Sequence, residues 1–199
     1  MIGLRVPQEA AHTLSEIKVS GDPEQIANYH ITLLHLGDDV PISTVALATM
    51  AAYEVAAKTR PFSVRTSRIS CFPNDSDKIP VVARIESDAL HDLWAHLCES
   101  FDAVNLDYSK KFPEFKPHCT IAWAKEPVED FRIPTMEWGA HELVIWGGDR
   151  GDRKVIVSIP FPLMDRVAAK RPRIILGRRA NMGSLVPNVM LRHSLSKLL

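Results

Sequence analysis

Along the chain the spacing of apolar and polar positions changes period several times. Residues 1–6 alternate as a strand, which Pro7 ends. "PQEAAHTLSEI" reads as a short helix, and "GDPEQIANY" turns the chain into a strand from Tyr29 to Leu36. "PISTVALATMAAYEVAAKT" predicts a helix that Ser43 or Thr44 can cap, with Pro61 just beyond its end. "FSVRTSRISCF" and "VVARIES" read as strands on either side of the turn-rich "PNDSDKIP". Asp88 is the expected cap of a second helix, "DALHDLWAHLCESF", whose Leu90, Leu93, Trp94, Leu97 and Phe101 share one face. A long polar loop, "NLDYSKKFPEFKP", leads to strands at about 118–124, 140–146 and 154–160, with "GGDRGDR" as the last hairpin turn. Trp94, Trp123 and Trp146 are expected in the core.

The order is strand, helix, strand pair, helix, strand, strand pair. It predicts an α+β protein built as two similar halves.

Within this frame two strands are oddly written. "NYHITLLHLG" (residues 28–37) and "FKPHCTIAWA" (residues 115–124) each place His-x-Thr inside an apolar run. Side chains at i and i+2 of a strand point to one face. His30 therefore points with Thr32, and His118 with Thr120, while His35 is expected on the opposite face. Side by side, the strands present two imidazoles and two hydroxyls to one groove. Imidazole titrates near neutrality, so one ring can be a base while the other is an acid. Threonine hydroxyls can hold phosphoryl oxygens as charge develops. One such strand is a weak signal, whereas two make displacement at phosphorus without a metal the favoured chemistry. The competing reading is a pair of core or edge histidines with satisfied hydrogen bonds.

The two segments resemble the signature motifs of the 2H phosphoesterases, the superfamily of the 2′-5′ RNA ligase-like proteins. The 88 residues from His30 to His118, the opening "GLRVP" and Gly37 after the first motif fit as well. The resemblance covers about residues 1–163. It implies a bilobal α+β fold of pseudo-twofold duplicated lobes, antiparallel sheets with outer helices, and a central groove carrying both motifs. It implies catalysis by His30, Thr32, His118 and Thr120 without a cofactor, on 2′,3′-cyclic phosphates or 2′-5′ and 3′-5′ phosphodiesters of RNA or nucleotides. It leans to His118 as the base in hydrolysis of a cyclic phosphate. Two alternatives remain open. One is a phosphodiesterase for a cyclic oligonucleotide second messenger, as in viral 2H proteins that erase defence signals. The other is a nucleotide- or RNA-binding module without turnover.

Other candidates carry less. Phe72 and Tyr108 lie in loops expected near the groove, where a ring can stack on a base or simply pack. Lys110, Lys111 and Lys116 precede the second motif and can steer an anion or merely face solvent. Lys110 and Lys116, with Phe72 and Tyr108, are the expected substrate-binding set. His91 and His96 are five apart on their helix, the wrong spacing for a shared metal. His118 and Cys119 point to opposite faces, and no metal site is expected.

The formal net charge is zero and 46% of residues are apolar, ordinary for a globular protein. The charge is unevenly placed. From 165 to 199 eight basic residues meet one acidic, giving +7, while 1–164 hold 16 basic and 23 acidic residues, giving −7. This predicts a 2H-like domain at 1–164 and a basic tail at 165–199 that either stays poorly ordered or docks on the body, contacts nucleic acid, or attaches to a protein partner or a membrane surface. Cys71, Cys98 and Cys119 are odd in number and share no metal or disulfide spacing, which fits a reduced, cytoplasmic compartment. No apolar run reaches a membrane span and no leader pattern opens the chain. A monomer is expected.

Overall fold

The computed structural model describes residues 1–72, 77–111, 114–148 and 152–163. In chain order its elements are β1 (Ile2–Arg5), α1 (Gln8–Ser15), β2 (Asp22–Pro23), β3 (His30–Leu34), α2 (Ile42–Ala56) and β4 (Phe62–Cys71). There follow β5 (Ile79–Glu86), α3 (Asp88–Ala103), β6 (His118–Ala124), β7 (Phe131–Arg132), β8 (Glu137–Ala140), β9 (Glu142–Gly147) and β10 (Lys154–Pro160). The basic tail and the middle of the "GGDRGDR" turn lie outside the described residues.

Two antiparallel sheets divide the strands. One runs β10-β9-β1-β3, and the other runs β2-β6-β5-β4-β7 with β8 also paired to β4. Each sheet therefore owns one His-x-Thr strand. The apolar face of α3 is buried through Leu90, Leu93, Leu97 and Phe101, as its period requires. α3 packs on α2 and reaches β3 and β4, while α2 also meets β9 and β10. No helix among the described residues is long and apolar enough to cross a membrane.

The helix starts differ from expectation. Neither Ser43 nor Thr44 caps α2, because Pro41 takes the N-cap position, with φ −55° and ψ 145°. Its side chain makes no capping bond, but its carbonyl accepts the Val45 N–H at 3.0 Å. At α3 the N-cap position belongs to Ser87, whose hydroxyl donates to the Ser63 carbonyl at 2.9 Å. Asp88 is instead the first helical residue, where its carboxylate favours the positive end of the helix dipole. Trp94, Trp123 and Trp146 are half-buried rather than core residues. Each has a polar or aromatic neighbour at the surface: Trp94 stacks on Phe115 at 5.2 Å, the Trp123 indole donates to Glu24 at 3.0 Å, and Trp146 meets His30.

Candidate active site

The two motif strands are built alike. In the first sheet Arg5 stands opposite His30 and Gly3 opposite Thr32. In the second, Arg84 stands opposite His118 and Val82 opposite Thr120. Both ladders then slip by one residue, between Ile2 and Gly3 on one side and between Val81 and Val82 on the other. The slip is a β-bulge immediately after the threonine. Its mark is two consecutive buried residues, Leu33 with Leu34 and Ile121 with Ala122. The histidine and threonine of each motif stay half-buried, and the residue between them is buried. Bulges of this kind re-aim side chains beside functional sites. Here the bulge inverts the alternation beyond it, so Leu34 faces the core and His35 is exposed. His35 lies just past the end of β3. Its Nδ1 accepts the Gly37 N–H at 3.1 Å.

Close strand approach is written into Gly3. A Cβ there would collide with the Ile31 carbonyl oxygen, so only glycine lets β1 lie against β3 beside Thr32.

β3 and β6 meet across the two sheets. The Tyr29 hydroxyl donates to the Ile121 carbonyl at 3.5 Å, the Glu24 N–H donates to the same carbonyl at 2.9 Å, and the His30 backbone hydrogen-bonds to the buried Cys119 thiol. Burial pushes that thiol up to about 12, so Cys119 is an uncharged packing group.

Both imidazoles are held the same way. His30 Nδ1 is 2.5 Å from the Asn28 carbonyl and His118 Nδ1 is 2.7 Å from the Lys116 carbonyl. A carbonyl only accepts, so Nδ1 carries the proton in each ring. Nε2 is then the basic nitrogen of the neutral form, on the far edge from the backbone. Burial lowers the pKa of both rings, and carries His30 down to about 4. The carbonyl bonds work in the opposite direction. Arg153 and His118 lower His30 further, and Arg84 lowers His118. At neutral pH both rings are neutral bases.

Each ring has an aromatic and a guanidinium beside it. Trp146 lies 5.7 Å from His30, centre to centre. Arg153 Nη1 is 3.3 Å from Nδ1 and 3.4 Å from Nε2 of His30. Near-equal distances to both nitrogens place it off the axis of the Nε2 lone pair, which it leaves available. Phe72 meets His118 edge-on at 4.7 Å, and Arg84 lies over the Phe72 ring at 4.8 Å. Arg84 occupies one face of that ring, leaving at most the other for a base.

The remaining candidates have partners of their own. Tyr108 donates to Asp102 at 3.4 Å and Lys110 pairs with the same carboxylate at 3.1 Å, at the C-terminal end of α3. The Lys116 ammonium pairs with Glu114 at 3.0 Å, so its carbonyl, not its charge, touches His118. The Thr32 hydroxyl contacts the Met1 sulfur at 3.8 Å. Arg84, Arg153 and Trp146 are not among the site residues expected from sequence. Arg84 carries a signal, as the one charged residue between Ile79 and Ile85 in an apolar strand. Arg153 carries none short of the pairing that brings the last hairpin beside β1.

No group of three or more His, Cys, Asp or Glu among the described residues could hold a metal ion. A larger open depression of about 560 Å³ lies between the start of α3 and β8, lined by Arg65, Glu86, Asp88, His91 and Glu137. Its Arg65 and Glu86 are already paired at 3.2 Å, and neither motif histidine lines it.

Two antiparallel sheets, each with one His-x-Thr strand, make up a fold that matches 2H phosphoesterases. The chain belongs to the 2′-5′ RNA ligase superfamily, which residues 6–152 match. Among solved structures it is similar to TT0787 of Thermus thermophilus, with a TM-score of 0.67 and 21% identity over 80% of this chain and 96% of that one. It is also similar to E. coli LigT complexed with 3′-AMP, with a TM-score of 0.59 and 18% identity over 81% and 97%. LigT complexed with phosphate gives 0.55 and 19% over 81% and 96%. No curated protein matches the chain. The family and fold support an enzyme of the 2H phosphoesterase kind.

Proposed function

We propose that the protein is a metal-independent phosphodiesterase acting on 2′,3′-cyclic phosphates or on 2′-5′ or 3′-5′ phosphodiesters of RNA or nucleotides. The observation that carries this reading is the matched pair of imidazoles, each with Nδ1–H tied to a carbonyl and Nε2 left as a base. In hydrolysis, one neutral Nε2 takes a proton from the attacking water as its oxygen bonds to phosphorus. The opposite P–O bond breaks, and the second ring, protonated, gives its Nε2 proton to the leaving oxygen. The protons exchange with solvent and the pair resets. Since the two sites are built alike, either ring can take either role, and the reverse reaction exchanges them. An anionic substrate raises both pKa values, which supplies the protonated partner that the buried rings disfavour on their own. Thr32 and Thr120 donate to non-bridging oxygens. The guanidiniums beside both rings offset charge on an anionic substrate in a body of formal charge −7. The LigT complex with 3′-AMP lends support, as a relative in fold that binds a nucleotide.

The test is a panel of 2′,3′-cyclic nucleotides, short 2′-5′ and 3′-5′ oligonucleotides and cyclic dinucleotides, assayed with EDTA present. Turnover of a member of the first two groups is expected. Turnover confined to cyclic dinucleotides would replace the substrate assignment. Activity lost on chelation and restored by a divalent ion would defeat the mechanism.

A further inference from the structure

Arg84 is the cross-strand neighbour of His118 and is half-buried. Its Nη1 is buried and has no hydrogen-bond partner among the described residues. Buried donors are normally satisfied, and a charged one left unpaired is costly. The Phe72 ring, 4.8 Å below the guanidinium, compensates by a cation–π contact but accepts no directed hydrogen bond. Its counterpart in the first sheet differs: Arg5, opposite His30, has Glu142 at 4.0 Å. Arg65, on the neighbouring strand, has Glu86 at 3.2 Å. So in the second sheet a cation stands beside a motif histidine in place of an ion pair, within reach of the ring whose titration its charge already affects.

We infer that Arg84 is a substrate-binding residue that grips an anionic oxygen of the phosphoryl group at the His118 end of the groove. The inference rests on the phosphoryl chemistry proposed above and adds to it a residue outside both motifs. A planar guanidinium matches two phosphoryl oxygens at once. Phe72 shields one side of it from water, and a charge-assisted bond is stronger where the local dielectric is low. The ring also fixes the guanidinium plane, so Phe72 acts through Arg84 as a positioning residue.

The test uses inorganic phosphate titrated into the full chain, followed by histidine ring NMR signals and by calorimetry, in the wild type, Arg84→Met, Arg84→Lys and Arg60→Met. Arg60 is exposed beyond α2 and controls for loss of one positive charge. Arg84→Met is expected to weaken phosphate by about 10- to 100-fold, the worth of one charge-assisted hydrogen bond, with part of the loss recovered in Arg84→Lys. Arg60→Met is expected to match the wild type. Thermal unfolding adds a second readout: removing an unpaired buried donor leaves Arg84→Met at least as stable as the wild type, whereas a structural arginine would lower the midpoint. With a substrate in hand, Arg84→Met should raise KM by a similar factor and leave kcat within a few-fold. Phosphate affinity unchanged in Arg84→Met, or equally reduced in Arg60→Met, overturns the inference. If nothing in the panel is turned over yet phosphate binding still depends on Arg84, the inference stands and the functional reading falls. If substrate is turned over with a KM indifferent to Arg84, the reverse holds.

Discussion

His30 and His118 are held by one and the same bond, from ring Nδ1 to the carbonyl two residues upstream. The pairing fixes tautomer and ring orientation together, so each ring leaves the same atom, Nε2, as its basic nitrogen. His30→Ala and His118→Ala should each lower turnover by about 10²- to 10⁴-fold, the usual worth of one general acid or base. The double variant should lose less than the product, because groups that act as a unit are not additive. His96→Ala, on the exposed side of α3, should leave the rate unchanged. Strictly multiplicative losses would show two independent groups rather than a working pair.

The threonines offer single hydrogen bonds. Thr32→Val and Thr120→Val should cost on the order of 10- to 10³-fold in kcat, with folding intact. A loss appearing wholly in KM would mean that the hydroxyls hold ground state and transition state equally.

The acid side of the rate profile should lie low. kcat/KM reports the free enzyme, in which one ring must be charged and the other neutral. With His30 held down to about 4 and His118 below its ordinary 6.5, the kcat/KM optimum should fall below pH 6.5. The kcat optimum should lie at higher pH, because bound phosphate favours the charged ring. Both limbs belong to the coupled pair. Coincident optima would contradict this.

Stability should respond to the same groups. In the unfolded chain His30 titrates near 6.5, and in the fold near 4. As pH falls through 6.5 the unfolded chain takes up a proton that the fold refuses, so stability drops, and the loss is complete below about 4. The depressed pKa is worth ~3 kcal/mol at most. Urea unfolding from pH 7 to 4 should therefore show a steeper fall in stability in the wild type than in His30→Gln. Parallel curves would mean that His30 stays hydrated in the fold.

Gly3 sets the seat of the first motif. Gly3→Ala drives a Cβ against the Ile31 carbonyl and should cost about 1–3 kcal/mol, the usual penalty of overpacking. Turnover should drop too, because the strand that must yield carries His30 and Thr32. Unchanged melting and rate would show that β1 can shift without cost.

Local physics makes much of this legible in the sequence. His30 with Thr32, and His118 with Thr120, stand out because strand period is two, and the buried face of α3 follows from helical period. The bulges are not legible, since an extra residue is defined by the partner strand and the slip leaves both local sequences apolar. Strands of two to four residues such as β2, β7 and β8 are too short to show a period. Tyr108 and Lys110 both meet Asp102 at the end of α3, a pairing that the spacing along the chain does not announce. Arg84 and Arg153 acquire meaning only from register and from the hairpin that closes the first sheet.

That closure has a consequence for synthesis. β1 finds its second neighbour only in β9, where Ile2 faces Ile145, whereas β4, β5 and β6 pair successively within the middle of the chain. As the chain leaves the ribosome from its N-terminal end, the His118 sheet can assemble while the His30 strand still has β1 alone beside it. The first sheet is therefore completed last, by long-range pairing whose loop-closure cost slows it.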